Sequence, residues 1–280
     1  MSRRRFVAPL RGQVDPACFA HPLFEGCAGF EDWLRAANWP DIDALNARLP
    51  LPGRRFVAQD QALLDDGLHY ETRIAERGQI ATRAENWHDL FNAIVWGRYP
   101  AIKTALNARQ CRHIARMGPG QRNRAQSALT QFDETGVIVR VRDPALLALW
   151  DRHAWAGLFQ THARSWHQGD IAIVAVIGHA LLEQGLLAGR RMVGKCVVMP
   201  GEDDAAGVAG LAAAITQGRL LNDPLELRPL PLAGVPGWHR QQDAAFYAQS
   251  DYFRPLRDGR VYPAPLRQSA APLDPLQGRL

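Results

Sequence analysis

Apolar and polar positions change period several times along this chain, and each change marks an element. Helical spacing covers residues 30–38 and 41–48, two short segments parted by Trp39 and Pro40 and closed by the proline-containing stretch 49–53. Residues 54–59 and 68–77 have β-type composition, the second alternating around Tyr70, Thr72 and Ile74. A helix then begins near Trp87. On a wheel of about 100° per residue, Trp87, Leu90, Phe91, Ile94 and Val95 share one arc while His88, Asp89, Asn92 and Trp96 share another. Pro100 suits the first turn of a second helix, in which Lys103, Asn107 and Gln110 form one stripe and Ile102, Ala105 and Leu106 the packing side. Residues 112–124, with Gly118, Pro119 and Gly120, predict a loop. Segments 128–132 and 137–141 predict a hairpin whose tight connection is 133–136. Helices are expected over 144–153, 155–166 and 205–216, and apolar strands over 171–177 and 195–199.

Strands and helices follow one another without regular alternation. That pattern predicts an α+β fold, or an irregular α/β one, with helices packed on a small mixed or antiparallel sheet. One globular domain is expected over 30–262, with an N-terminal arm over 1–29 and a poorly ordered, proline-containing tail over 263–280. At 280 residues and 47% hydrophobic content the chain can bury a large core. Its longest apolar run, 171–177, is far short of the roughly 20 residues of a membrane span. Three arginines open the chain, but Pro9 and Arg11 cut the apolar stretch after them below the ~7 residues of a signal core, so a cytoplasmic location is expected.

Cys18, Cys27, Cys111 and Cys196 are scattered and form no C-x-x-C pair, which argues against a zinc knuckle or disulfide framework. The formal charge of +5 would allow a polyanionic partner, yet the basic residues are spread along the chain without a concentrated patch. Of 33 basic residues only Lys103 and Lys195 are lysine. An ammonium is compact and loses its proton readily when buried, so Lys103 is a candidate for acid–base or point-charge work.

No dinucleotide glycine motif, phosphate loop or serine nucleophile elbow is present. The candidates are therefore clusters. A solvated helix face usually collects Glu, Lys, Arg and Gln, whereas the second arc after Trp87 holds an imidazole, a carboxylate, an amide and an indole. His179 and Glu183 stand four apart among leucines, where they are costly unless paired or coordinated; the bland alternative is a paired core histidine. They supply at most two metal ligands, so a metal would need others, for which Asp133 and Glu134 are candidates. Against that, an Asp followed three residues later by Gly is ordinary turn chemistry. His153, His162 and His167 are expected at the surface or in packing.

Several runs resemble one family: 70–74 (YETRI), Thr82-Arg83, 86–93 (NWHDLFNA), 103–107 (KTALN), 128–134 (ALTQFDE) with Gly136, 178–183 (GHALLE), 234–238 (GVPGW) and 253–255 (FRP). Together they resemble the proteobacterial domain of unknown function 3025 over roughly residues 30–258. The resemblance implies a single domain and no particular chemistry. Relatives often carry a histidine where this chain has Gln110, which argues against position 110 in a catalytic set.

The expected function is an enzyme, hydrolase-like, using general acid–base or metal-assisted chemistry. Its catalytic candidates are His88, Asp89, Asn92, Lys103, Asp133, His179 and Glu183. Arg83, Trp96, Asn107 and Glu134 are candidates for contacting a small or anionic substrate. The sequence names no cofactor, metal or oligomeric state. The alternative is a non-catalytic module that binds nucleic acid or protein through an arginine-rich surface.

Overall fold

The computed structural model describes residues 6–199 and 203–266. A four-stranded mixed sheet lies at the centre, formed by β3 (Gly136–Val141), β4 (Ile171–Val176), β5 (Val193–Met199) and β6 (Arg228–Pro231) in the order β4-β3-β5-β6. The pairing of β3 with β5 is parallel, and both outer pairings are antiparallel. β3 and β5 are almost wholly buried, as their apolar sequences require when helices cover them. A separate parallel pair joins β1 (Arg55–Ala58) to β2 (Gln79–Thr82). With most remaining residues helical, the architecture is α+β. No described helix is long and apolar enough to cross a membrane.

Two helices form the frame of the site. The first, Trp87–Arg98, starts where the Asn86 side chain accepts from the Asp89 backbone N–H at 3.1 Å. The second, Pro100–Met117, begins with proline at its first position, where the missing N–H costs nothing. Both arcs of the first helix turn out to be buried apart from His88, which is partly exposed. The apolar side joins the core, while Asp89, Asn92 and Trp96 are covered by neighbouring helices.

Four local expectations are corrected. Residues 70–77 form a helix, Tyr70–Arg77, with His69 capping its start and Gly78 ending it at φ 63°. Those termini outweigh the short alternation around Tyr70. The expected loop at 112–124 is confined to 118–123, because Pro100–Met117 runs on until Gly118 takes φ 82° and the next helix begins at Arg124. No hairpin exists at 128–141: Arg124–Thr135 is a helix opened by a reciprocal Asn123–Gln126 capping box, and it feeds directly into β3. The 155–166 helix is broken into a π-helical turn, Gly157–Thr161, and the short helix Ala163–Gln168.

Within the expected N-terminal arm, Arg11–Gln13, Pro16–Ala20 and Pro22–Cys27 form three 3-10 turns, the last of which buries Leu23, Phe24 and Cys27. Of the expected tail, 263–266 carries no regular element and 267–280 lies outside the described residues.

Candidate functional site

The connection between Arg124–Thr135 and β3 decides where the chemistry sits. Glu134 lies in the last turn of that helix, and β3 is paired to β4, which leads into the short helix His179–Gly185. The Gly136 carbonyl accepts from both the Ile177 and Gly178 backbone N–H groups at 2.9 Å. Gly178 permits the approach: a Cβ there would stand 2.5 Å from Thr135 Cα and 2.7 Å from the Glu134 carbonyl oxygen. His179 is thereby brought beside Glu134, with its Nε2 3.8 Å from Glu134 Oε2.

His88 enters from the Trp87–Arg98 helix, which packs against His179–Gly185. Its Nε2 lies 3.0 Å from His179 Nε2, and its Nδ1 lies 3.3 Å from Glu183 Oε2. The His179–Glu183 spacing therefore does not form a pair with itself; both residues converge on His88. Glu183 stands behind His88, outside the cavity lining, where it can hold the imidazole's orientation and tautomer. Ligand atoms of His88, His179 and Glu134 all lie within 4.8 Å of one another, so these three could hold a metal ion.

Electrostatics separate the two rings. Burial opposes charge on His88, but Glu183, Glu134 and Asp89 outweigh it and raise its pKa above the ordinary value. Burial, reinforced by the positive charges of Lys103 and His88, drives His179 well below the ordinary value. The Asp133 backbone pulls weakly the other way, although no well-formed hydrogen bond reaches His179 Nδ1. Burial also raises the Glu134 carboxyl, with His88 and Lys103 opposing.

These groups open onto a cavity of about 310 Å³. Its wall includes Asn92, whose Nδ2 donates to the Tyr70 hydroxyl at 3.0 Å, and Asn107, which donates to the Glu71 carboxylate at 2.7 Å. The Lys103 ammonium is buried, bonded to Asp133, and 5.4 Å from the Trp96 ring centre. Asp89 accepts a two-pronged contact from Arg83, at 2.9 Å from Nε and 2.8 Å from the terminal nitrogen. Lys103 with Asp133 and Arg83 with Asp89 thus form two ion pairs that shape the walls. Gln110 also faces the cavity and donates to the Thr130 hydroxyl at 3.1 Å.

All the candidates except Glu183 line this one cavity. Sequence reasoning missed His69, Tyr70, Glu71 and Arg122 in the lining. Reading 70–77 as a helix from its His69 and Gly78 termini would have offered the first three. Arg122 is exposed, sits before the Arg124–Thr135 helix, and makes no ion pair among the described residues. Nothing local in the sequence pointed to it.

The chain matches the family described as protein of unknown function (DUF3025) over residues 54–257, well over half its length. It belongs to that family. The match takes in every cavity-lining residue and Glu183, so the site lies inside the DUF3025 region. No curated protein and no solved structure matches the chain.

Proposed function

We propose that this DUF3025 chain is a hydrolase-type enzyme in which His88, His179 and Glu134 activate a water molecule against a small anionic substrate. The observation that carries the reading is convergence. Two imidazoles and a carboxylate from three separate helices meet at one end of a cavity, with Glu183 orienting one ring from behind. Water attacks the electrophilic carbon or phosphorus of an ester-type bond, its proton passes to the cluster, and a proton returns to the leaving oxygen. Arg122, which makes no ion pair among the described residues, supplies a positive charge in the lining that favours an anion.

The arginine-surface alternative has less support. Arg73, Arg83, Arg124, Arg140 and Arg228 are paired with aspartates of the same chain. Four free cysteines fit a reducing compartment such as the cytoplasm. The test is a panel of nitrophenyl carboxylate and phosphate esters against the purified chain and a His179→Ala variant. Turnover by the native chain, lost in a variant that keeps its thermal midpoint, supports the reading. No turnover of any ester, or equal turnover by both, rejects it.

A further inference from the structure

We infer that the cluster is a mononuclear metal site for a divalent first-row transition ion, held by Nε2 of His88, Nε2 of His179 and the carboxylate of Glu134. The inference rests on the reading of this cluster as the place where water is activated.

The arrangement of ring nitrogens comes first. Glu183 beside His88 Nδ1 favours the tautomer with its proton there, leaving the Nε2 lone pair directed at His179. His179 likewise turns its Nε2 toward His88, while its Nδ1 is buried without a hydrogen-bond partner among the described residues. Two imidazole lone pairs 3.0 Å apart repel unless something positive lies between or beside them. A proton or a metal ion would serve. A proton needs only two donors, whereas a third donor, Glu134 Oε2, approaches the same place at 3.8 Å from His179.

Distances support the ion. With metal–nitrogen bonds of about 2.0–2.1 Å, two ligands at coordination angles between square and tetrahedral stand roughly 2.9–3.4 Å apart. The imidazole pair at 3.0 Å already satisfies this. Glu134, within 4.8 Å of both nitrogens, must swing inward by about 1 Å to reach ~2.0–2.2 Å bonding distance. Its side chain is 39% exposed and free to do so. Two imidazoles with one carboxylate suit a first-row transition ion better than magnesium or calcium, which prefer all-oxygen ligands. Three protein ligands leave coordination positions for water and substrate. Glu183 then has the role of an outer carboxylate that fixes a metal-bound histidine, and Gly178 keeps His179 close enough to share the ion with Glu134.

The experiment uses the full chain stripped with a chelator. Bound metal is counted in protein as purified, and Co²⁺ is titrated into stripped protein while its visible absorption is followed. One equivalent of a first-row metal and a saturable Co²⁺ spectrum are expected. His88→Ala and His179→Ala should abolish both, while Glu183→Gln, which keeps all three ligands, should weaken Co²⁺ binding by about 10–100-fold. Circular dichroism checks that each variant is folded; if the alanine variants are not, Glu183→Gln alone decides. Absence of saturable Co²⁺ binding, or binding that Glu183→Gln leaves unchanged, overturns the inference. Ester hydrolysis that persists in stripped protein overturns it too but leaves the hydrolase reading standing. Metal bound as expected with no ester turned over upholds the site and rejects the hydrolase reading.

Discussion

Two histidine environments in this chain differ in a way that separates packing from chemistry. His153, in the turn after the Pro144–Asp151 helix, has both ring nitrogens engaged by neutral partners: Nδ1 with the Arg254 carbonyl at 3.0 Å and Nε2 with the Tyr262 hydroxyl at 2.9 Å. Its ring lies against Trp155, and it ties the segment after the helix to the C-terminal stretch. It does not line the cavity that holds His88 and His179. His88 and His179 are arranged oppositely. They point nitrogen at nitrogen, with carboxylates on two sides and open space beside them. A ring whose bonds are all satisfied holds structure together; a ring whose remaining valence faces an acid, a second ring and a cavity is available for work.

The contrast can be broken most sharply at His179. Replacing it with alanine should lower ester hydrolysis by at least ~100-fold, the usual worth of a group that handles the reacting proton or water. Steady-state kinetics at matched folding would show this, and a loss under threefold would put His179 in the class of His153.

Gly178→Ala should come next. The added methyl meets the Thr135 backbone, so it should cost roughly 1–3 kcal/mol as an overpacking change and separate His179 from Glu134. Urea titration reads the first effect and Co²⁺ affinity the second. A destabilised variant with unaltered Co²⁺ binding would mean that the glycine serves the fold alone.

His153→Asn should behave in the reverse sense. Asparagine tolerates the φ of 55° found there, so the change removes the ring's packing and its hydrogen bonds without backbone strain, expected to cost about 1–3 kcal/mol with hydrolysis unchanged. Activity falling with stability intact would erase the distinction between the two environments.

The smallest effect concerns pH. Burial lowers the His153 pKa below its ordinary 6.5, despite the opposing Arg254 backbone. The unfolded chain therefore binds the proton more readily, and the stabilisation is complete above pH 6.5 and lost as pH falls toward the lowered folded value. Denaturation curves of native chain and His153→Asn should converge as pH falls from 7 toward 5; parallel curves would remove the titration from the account.

Much of the site could be read from sequence because its residues break local rules. An imidazole, an amide and an indole on one helix arc, and an imidazole–carboxylate pair among leucines, are expensive placements that need a reason. What stayed hidden was the partnership. His88 meets His179 and Glu183 across 91 and 95 residues, and nothing local distinguishes that from His179 bonding Glu183 directly. Asp133 to Gly136 spells a tight turn, yet Gly136 is there because a Cβ would lie 2.1 Å from the Phe132 carbonyl oxygen at the helix-to-strand junction. The mixed sheet was expected in kind. Its order was not, because β3 pairs directly with β5 although β4 lies between them in sequence.

The double hydrogen bond at the Gly136 carbonyl has a kinetic consequence. His179 cannot meet Glu134 until β3 and β4 have found their register, and His88 must then dock from a helix nearly a hundred residues upstream. Closing loops this long costs entropy before the contacts repay it, so the cluster is expected to form after the barrier that the chain crosses on its way in. Whatever occupies the cluster should hold the folded molecule shut, slowing its unfolding while leaving its folding rate almost untouched.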